Sequence, residues 1–553
     1  MKRGWTTGCR IVRRCLYVVA GLAVLLALFY AEEDWRGKRA WEQFKGQWEA
    51  KGERFDWASV VPPPVPDSEN FALAPIVASS YAGYVDKNGR RIDPPNTNII
   101  NRLRMSVPHE SEFQCLATGN RMTNFGKWQI AKWTDLKGWQ TYFRTPTTQS
   151  GVAAAVRSTR FGDRYRMPRS KSVQQPPPTN EFPIAPQPQT PAADVLLALS
   201  RYDAAIAELR QASRLPRSRF PLNYEHPEQR VVGHRRALKE CAFVLQLRSV
   251  AELSLGRTEE ALDDVRLALR LAESVRTEPF FGSQKARIEI VGATLQPVWE
   301  GLAARRWSDS QLVAVDSELA GLDFFTDYAA AVRGQRALAN HEIDDLRRTH
   351  NAAITSDPGS DCDDDLGPRL MRLYFRLFPS GWYYQNQLRT CQAYTDGFLP
   401  LLDQNTRTVF QVMVKDNTRN EPMLENPPFL PPVAPFRHPF IILESVVFEF
   451  ADAGQYAYAQ GSVDLARVAC ALERYRIWRG EYPDSLNALA PRFIGKLPHD
   501  VINGQPLHYR LTDQGQFLLY SVGWANKDEG GKVRHSHDRL ADVRNGNWVW
   551  RYP

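Results

Sequence analysis

The first 31 residues of the sequence contain no aspartate or glutamate. They contain five basic residues, all before position 15: Lys2, Arg3, Arg10, Arg13 and Arg14. The run from Cys15 to Ala31 then lacks any charge, and as a helix it would be roughly 25 Å long. Because a bilayer core is about 30 Å thick, this run predicts a short transmembrane helix.

The charges on either side of the apolar run predict its orientation. Basic residues precede the run, and three acidic residues follow it at positions 32–34. Since basic segments stay in the cytoplasm, we predict a bacterial inner-membrane protein with its N-terminus inside and its bulk periplasmic. A cleaved signal peptide has similar regions and stays the alternative. Phe29 and Tyr30 make a poor cleavage site before Ala31, which favours an uncleaved signal-anchor.

Motifs that identify common enzymes are also missing. The sequence has no G-x-S-x-G, H-E-x-x-H, Walker A or G-x-G-x-x-G motif in a suitable context. His535, His537 and Asp538 form a compact cluster that suits a transition metal, although such clusters are more often solvated. We therefore predict a non-enzymatic protein with an interaction or scaffold role in the cell envelope. An extracytoplasmic hydrolase with a site built from scattered side chains is the alternative.

Cysteines are too few and too scattered to form a disulfide framework. Of the seven, two lie in the first 31 residues, and the remaining five are an odd number. A pair between Cys362 and Cys391 stays open. Cys241 and Cys470 lie within helical patterns, which predicts small buried thiols.

Charge gives no reason to expect a polyanionic partner. Subtracting the five basic residues of the tail from the net charge of +8 leaves +3 for the rest of the chain. Residues 157–171 mix basic and aromatic side chains as single-strand nucleic-acid surfaces do. A solvated loop is the preferred interpretation outside the cytoplasm, so we predict no nucleic-acid partner and instead envelope proteins and the membrane. The acidic segment 357–365 lacks EF-hand spacing and predicts a solvated turn.

Helical spacing continues beyond the apolar run. Trp41, Phe44 and Trp48 fall on one face of a helix that the pattern predicts from Asp34 to Gly52. This stripe predicts packing against the protein body, with a belt at the membrane interface as the alternative.

Proline-rich breaks and changes in periodicity predict the domain order. The predicted segments are a cytoplasmic basic tail (1–14), a transmembrane signal-anchor helix (15–31), a juxtamembrane and mixed region (32–173), a Pro/Gln-rich linker (174–191), a helical domain (192–424), a Pro-rich break (425–436), and a helix with a small α+β domain (437–553).

The middle of the chain predicts a mainly α fold of helical hairpins. Apolar residues recur at intervals of three and four from Val195 to Leu209, which is typical of one face of a helix. In the segment LGRTEEALDDVRLALRL, Gly256, Ala261 and Ala268 resemble the second half of a tetratricopeptide (TPR) repeat. A similar segment, SRYDAAIAELRQAS, lies further away than one repeat of about 34 residues. A TPR-like bundle with a partner-binding surface and an ordinary helical bundle both remain open.

The last part of the sequence has a recognisable order of elements. A helical pattern ends near Gly480, and Tyr482-Pro483 and a short helix follow. Two strand patterns, PLHYRLT and FLLYSVG, then flank a turn at residues 513–515, which predicts a β-hairpin. A polar loop with several glycines and the segment NWVW complete the chain.

This order resembles the C-terminal domain of the major pseudopilin of type II secretion. The matching positions are Tyr482-Pro483, Leu486, Leu489, Pro498, Asp500, Tyr520-Ser521-Val522-Gly523, Gly530-Gly531 and Ala541-Asp542-Val543. The resemblance implies a small extracytoplasmic α+β pseudopilin-like domain whose last loop holds calcium. Its ligands would correspond to Asn526, Asp528 and Asp542, whose oxygens suit calcium. A polar loop that folds without metal is the alternative.

The resemblance does not extend to the anchor. Pseudopilins have a short leader and then a Phe and a Glu near the start of the apolar helix, whereas this anchor has neither. We therefore expect no assembly into a pilus-like filament. The whole chain also resembles an uncharacterised family of bacterial membrane-anchored proteins that share the phrase ACALERYR…YP…LPHD…LYSVGW.

Overall fold

A computed structural model describes residues 2–86, 88–105, 128–144, 182–227, 230–350, 373, 375–410, 453–535 and 541–552. The helices are α1 (Lys2–Glu49), α2 (Pro75–Ala78), α3 (Leu136–Arg144), α4 (Pro191–Leu199), α5 (Asp203–Ala212), α6 (Gly233–Ser254), α7 (Thr258–Ser274), α8 (Phe281–Ala303), α9 (Asp309–Ala320), α10 (Phe324–Thr349), α11 (Ser380–Gln392) and α12 (Ala453–Arg479). The strands are β1 (Leu402–Asp403), β2 (Thr408–Val409), β3 (His508–Leu511), β4 (Phe517–Ser521), β5 (Val533–His535), β6 (Ala541–Gly546) and β7 (Trp548–Arg551). The prediction of a mainly helical chain with small C-terminal sheets is confirmed.

Contacts group the chain into two compact units. The first, which we call the membrane-proximal unit, comprises residues 1–60, 333–398 and 417–450. The second comprises residues 61–332, 399–416 and 451–553. The domain boundaries drawn from sequence stay predictions, although the second unit joins most of the predicted helical domain to the predicted C-terminal domain.

The N-terminal helix α1 is apolar and exposed from Cys15 to Phe29. Every side chain from Val12 to Phe29 is exposed, and the helix is long and apolar enough to cross a membrane. Exposure of so many large apolar groups is unfavourable in water, because each loses stabilisation that burial would give. Among the residues that the structure describes, α1 is therefore the one helix suited to a single-pass membrane anchor.

One face of the second half of α1 is buried within the membrane-proximal unit. Trp41 and Phe44 form a hydrophobic cluster with Phe55 and Cys391, and Trp48 packs against its edge. The Trp41 and Phe55 rings meet edge to face with centroids 5.7 Å apart. The prediction that the aromatic stripe packs against the protein is confirmed.

Helix α11 approaches α1 closely because two glycines face each other. A Cβ on Gly381 would lie 1.9 Å from the carbonyl oxygen of Glu33, and one on Gly37 would lie 2.2 Å from that of Gly381. Only residues without a side chain fit there. The Gly381 N–H donates to Asp34 Oδ1 at 2.7 Å, and Trp382 Nε1 donates to Glu33 Oε2 at 3.2 Å. These contacts fix α11 in register along α1.

A buried ion network completes the membrane-proximal unit. Arg336 has no exposed surface and donates to Glu53 Oε2 at 2.6 Å and to Thr395 Oγ1 at 2.8 Å. Its guanidinium lies 4.4 Å from the centroid of the Phe55 ring. Arg333 donates to the other oxygen of Glu53 at 2.9 Å. The Glu53 carboxylate therefore balances the charge of the buried Arg336, as buried charges require, while Arg333, whose side chain is 38% exposed, stays in contact with water.

The second unit is built around α8. Its side chains are buried almost continuously from Phe281 to Leu302, because α6, α7 and α12 all pack against it. Helices α6 and α7 form a hairpin, and Gly256 between them has φ +78°, which favours glycine. Helix α9 begins with a capping box between Ser308 and Gln311.

A three-stranded antiparallel sheet in the order β3-β4-β7 lies at the C-terminal end of the second unit. Leu519 of β4 pairs with Tyr509 of β3 and with Trp550 of β7. The predicted hairpin and the predicted helix end at Gly480 are confirmed, since α12 ends at Arg479. Helix α12 packs against α8 and α9 as well as β4 and β7, so it belongs to the helical core and to the α+β part together.

Several predicted features lie outside the described residues: the basic segment 157–171, the acidic segment 357–365, the Pro-rich break 425–436, residues 174–181 of the linker, and Cys362. The thiols of Cys241, Cys391 and Cys470 are free and buried. The predictions for Cys241 and Cys470 are confirmed.

Candidate functional site

The loop between β4 and β5, residues 522–531, contains two of the predicted calcium residues, and we call it the C-terminal loop. Gly523, Gly530 and Gly531 have φ of +69°, +71° and +78°, which side chains with a Cβ rarely adopt. A Cβ on Gly531 would lie 2.7 Å from a methyl group of Leu518. The glycines therefore let the loop turn back tightly against β4.

Asn547 holds the C-terminal loop from within. The side chain is 4% exposed, and its Nδ2 donates to the carbonyls of Val522 at 2.9 Å and Lys527 at 2.8 Å. Its Oδ1 accepts from the N–H groups of Glu529 at 3.1 Å and Gly531 at 3.0 Å. Two donated and two accepted bonds use the full capacity of an amide. One neutral side chain thus fixes the loop at four backbone positions.

Asp500 fixes the start of the same loop. The residue is 1% exposed, and its carboxylate accepts from Ser521 Oγ and Val522 N at 2.8 Å each and from Ile502 N at 3.0 Å. Hydrogen bonds to a charged acceptor are stronger than neutral ones. The aspartate of the LPHD segment therefore has a structural role beneath the YSVG turn.

Two of the predicted calcium residues lie at successive turns of the loop. Asn526 has φ +49°, and its N–H donates to the carbonyl of Gly523 at 2.9 Å. Asp528 Oδ1 accepts from Gly530 N at 2.8 Å and from the Tyr520 hydroxyl at 3.0 Å. One oxygen of Asp528 is therefore already engaged by two protein donors.

The third predicted calcium residue, Asp542, lies on β6. Its Oδ1 accepts from the N–H groups of Arg544 at 3.1 Å and Asn545 at 3.2 Å. Its Oδ2 accepts from Asn545 Nδ2 at 3.0 Å. Asp528 and Asp542 thus bind different protein donors, and Asn547 already ties together carbonyls that a cation could bridge. These hydrogen bonds compete with calcium for the same oxygens, and calcium binding stays a prediction.

A polar cluster at the edge of the sheet, made of the half-buried His508, the buried Tyr520 and the exposed Asp528, joins the loop to β3 and β4. The rings of His508 and Tyr520 are stacked, with centroids 4.8 Å apart and an interplanar angle of 10°. His508 Nδ1 lies 3.6 Å from Asp528 Oδ2. The hydrogen bond from Gly530 N lowers the pKa of Asp528 below its ordinary value, whereas burial and the bond to Asp528 raise the pKa of Tyr520. The cluster brings an accessible imidazole and an accessible carboxylate against a buried phenol.

Metal-ligating side chains do not converge elsewhere in the described part of the chain. No group of three or more His, Cys, Asp or Glu residues there could hold a metal ion. Of the predicted H-x-H-D cluster, His535 is exposed on β5, while His537 and Asp538 lie outside the described residues.

Sequence reasoning missed a buried set of contacts among a serine, a glutamate and a histidine. His234 Nε2 lies 2.9 Å from Glu278 Oε1, and Ser283 Oγ donates to the other oxygen of Glu278. His234 has no exposed surface, and its ring stacks on Phe220 at 4.1 Å. In nucleophilic catalysis the serine bonds to the histidine, but here it bonds to the glutamate. The set therefore holds α6 and the start of α8 together; its members show no motif spacing in the sequence.

A second buried group links three helices of the same unit. Asp264 of α7 has no exposed surface and bonds to Arg210 of α5 and, at 3.0 Å, to Arg248 of α6. Burial raises the pKa of Asp264, and burial together with the nearby Asp264 charge raises the pKa of Glu252 to about 8. Perturbed pKa values mark functional sites but also arise in structural ion pairs. Because Asp264 is paired with arginines of two other helices, and Arg248 also pairs with Glu252 of its own helix, we interpret the group as structural.

A small cavity lies between α8 and α12. It has a volume of about 10 Å³ and is lined mainly by apolar side chains, among them Trp128, Ile288 and Leu295. That volume is close to the minimum for one water molecule, far below what a substrate needs.

We found no match to the chain among models of protein families, curated proteins or solved structures. The function of each candidate site is therefore inferred from its geometry.

Proposed function

We propose that this protein is a bacterial envelope scaffold, anchored in the inner membrane by α1, with its N-terminus in the cytoplasm and its bulk in the periplasm. The single observation that carries the proposal is the continuity of α1. Its exposed apolar run and the part whose aromatic face packs in the membrane-proximal unit belong to one uninterrupted helix from Lys2 to Glu49. The anchor is therefore not a flexible tether, and it fixes the membrane-proximal unit at the bilayer surface.

The charge distribution supports the proposed orientation. Basic residues precede the apolar run and acidic residues follow it at once, as the positive-inside rule expects. The buried charged side chains of the membrane-proximal unit, such as Arg336, belong to a folded body that cannot enter hydrocarbon. That body then occupies the periplasmic side.

The helical second unit supports the scaffold role. Its α6–α7 hairpin packs on the buried central helix α8, and α7 keeps a charged outer side of Glu259, Glu260, Asp263 and Arg266 exposed. Helical hairpins of this type serve in many proteins as partner-binding surfaces. The resemblance of the C-terminal part to pseudopilins is consistent with an extracytoplasmic setting.

The topology is tested with reporter fusions at the C-terminus. Alkaline phosphatase, which is active only outside the cytoplasm, should be active when fused after Pro553. Green fluorescent protein fused at the same position is exported in the same way and should not fluoresce. The matched variant carries Arg10→Glu, Arg13→Glu and Arg14→Glu, which removes the basic flank and should weaken the orientation bias. An inactive phosphatase fusion together with a brightly fluorescent one would overturn the proposed orientation.

The hydrolase alternative has one specific observation in its favour, the accessible side chains of His508 and Asp528 next to the buried Tyr520. An imidazole beside a carboxylate can act as a general base. The purified protein is assayed against chromogenic esters, phosphates, glycosides and peptides, with His508→Ala as the matched variant. The scaffold proposal expects no turnover above that of the variant. Turnover that His508→Ala abolishes, with its fold retained, would favour the hydrolase.

A further inference from the structure

Two leucines next to α11 are as exposed as the side chains of the membrane span. Leu373 and Leu377 are 53% and 62% exposed, compared with 63% for Leu16 and 64% for Leu25 in the apolar half of α1. Phe375 and Phe378, in the same segment, are buried at 3% and 7%. The segment therefore has an inner face that packs against the protein. It also has an outer apolar face that the protein leaves exposed.

Contacts with α1 fix the position of these leucines relative to the apolar run. The Tyr30 hydroxyl donates to the carbonyl oxygen of Leu377. The rings of Phe29 and Trp382 meet edge to face with centroids 6.4 Å apart. Phe29 and Tyr30 are the last large side chains of the apolar run, which ends at Ala31. Leu377 therefore lies at the level where α1 leaves the bilayer.

The segment is rigidly held at that level. The facing glycines Gly37 and Gly381 leave no space for α11 to slide without a backbone clash. Glu33 accepts from Trp382 Nε1 and, at 2.9 Å, from Gln385 Nε2. A segment fixed in this way keeps its exposed leucines at one depth.

The chemistry around the leucines is that of a membrane interface. Arg376 is exposed between them, and Trp35 of α1 is 62% exposed with Arg39 stacked on its ring at 5.1 Å. Exposed aromatic and basic side chains next to apolar ones are typical of the boundary between headgroups and acyl chains. The arginines can bind lipid phosphates, although Glu32, Glu33 and Asp34 also lie near this level.

We propose that Leu373 and residues 375–382, which we call the membrane shelf, form a second, non-spanning contact with the bilayer. The inference rests on the proposed anchor, because the shelf is positioned by α1. Its occupant is the acyl-chain boundary of the leaflet from which α1 emerges. The apolar run of roughly 25 Å is shorter than a bilayer core of about 30 Å, and the shelf supplies apolar surface at its outer end. The protein is thus both anchored by a helix and seated on the membrane.

The test uses photocrosslinking of the full chain in vesicles of phosphatidylethanolamine and phosphatidylglycerol. p-Benzoylphenylalanine replaces Leu377, Leu373, Leu25 or Ala50, one at a time, and lipid adducts are measured by intact mass. Leu25 lies in the span, and Ala50 is exposed just after the end of α1, roughly 28 Å beyond Ala31. Limited proteolysis confirms that each variant keeps the wild-type fold.

We expect the lipid-adduct yield at Leu377 and Leu373 to be within about twofold of Leu25 and about fivefold or more above Ala50. A yield at both leucines equal to Ala50, with Leu25 labelled, would overturn the shelf and leave the anchor intact. Adducts with protein instead of lipid at Leu377 would also overturn it, since a protein would then cover this face. If Leu25 itself gives no more adduct than Ala50, the anchor fails and the shelf fails with it.

Discussion

The C-terminal loop and the membrane-proximal unit are each held by one buried polar centre, but the two centres differ in kind. Asn547 is neutral and binds backbone groups at most 25 residues away. Glu53 is charged and binds Arg336, which is 283 residues away. The loop is therefore organised by nearby sequence, whereas the membrane-proximal unit depends on segments brought together only by folding. This contrast shows which parts of the molecule a sequence pattern can reveal.

The greatest loss of stability should come from removing the charged centre. Glu53→Ala leaves Arg336 buried without its carboxylate, and an uncompensated buried charge costs about 3–5 kcal/mol. We expect this loss in the free energy of unfolding of the full chain in detergent, measured by urea titration with tryptophan fluorescence.

Arg348→Ala is the matched control for the charged centre. Arg348 is 67% exposed and pairs with Asp344 at the surface of the same unit. An exposed pair contributes less than about 1 kcal/mol, so this variant should unfold close to the wild type. Equal losses in Glu53→Ala and Arg348→Ala would show that the Glu53 network is no more important than a surface pair.

Removal of the neutral centre should have the next largest effect. Asn547→Ala deletes four hydrogen bonds and leaves backbone groups of the loop unpaired, which we expect to cost about 2–4 kcal/mol. Hydrogen exchange at the amides of Glu529 and Gly531 should accelerate in the same variant. Asn545→Ala, an exposed residue next to it whose side chain binds Asp542, is the control and should change neither quantity. If both variants behave alike, the loop is held by something other than Asn547.

Lowering the pH should weaken the stabilisation by the charged centre but not the stabilisation by the neutral one. Burial raises the pKa of Glu53, but hydrogen bonds from Arg333 and Arg336 outweigh it, and the net pKa lies below the ordinary 4.5. A carboxylate with a lowered folded pKa stabilises the protein above its unfolded pKa and loses that stabilisation as the pH falls through the folded value. Glu53→Gln should therefore be destabilising at pH 7, and its difference from the wild type should shrink progressively as the pH falls below 4.5.

Asn547→Ala provides the comparison in the same pH series. An amide does not titrate, so its difference from the wild type should stay constant between pH 7 and pH 4. Urea titrations of both variants at each pH give the measurement. A Glu53→Gln difference that is equally large in acid would mean that the carboxylate contributes through packing instead of charge.

Much of the C-terminal part was predictable because its signals are local. The hairpin turn at Gly515, the helix end at Gly480 and the buried thiol of Cys470 each follow from residues within a few positions. The apolar half of α1 was predictable for the same reason, since a run without charge needs no partner to be recognised.

The rest was not predictable because it depends on long-range partners. The facing glycines Gly37 and Gly381 are ordinary residues in the sequence, and only the fold gives them a shared role. Asn547 was missed although it is close in sequence to the loop, because an asparagine before a strand has no pattern that marks a buried amide. The predicted calcium residues follow from a resemblance. The loop, however, is organised by the Asn547 amide, which that resemblance does not include.

The smallest expected effect is that of calcium on the melting temperature, and it also depends on the Asn547 amide. Because Asn547 already binds the Val522 and Lys527 carbonyls and protein donors engage Asp528 and Asp542, we expect millimolar calcium to change the melting temperature by less than about 1 °C. Melting is measured for the full chain with calcium and with chelator, and for Asp528→Asn and Asp542→Asn. A rise of several degrees that the chelator reverses and both substitutions abolish would contradict this expectation. It would mean that the metal displaces these hydrogen bonds, so the C-terminal loop would share with the membrane-proximal unit a charged centre after all.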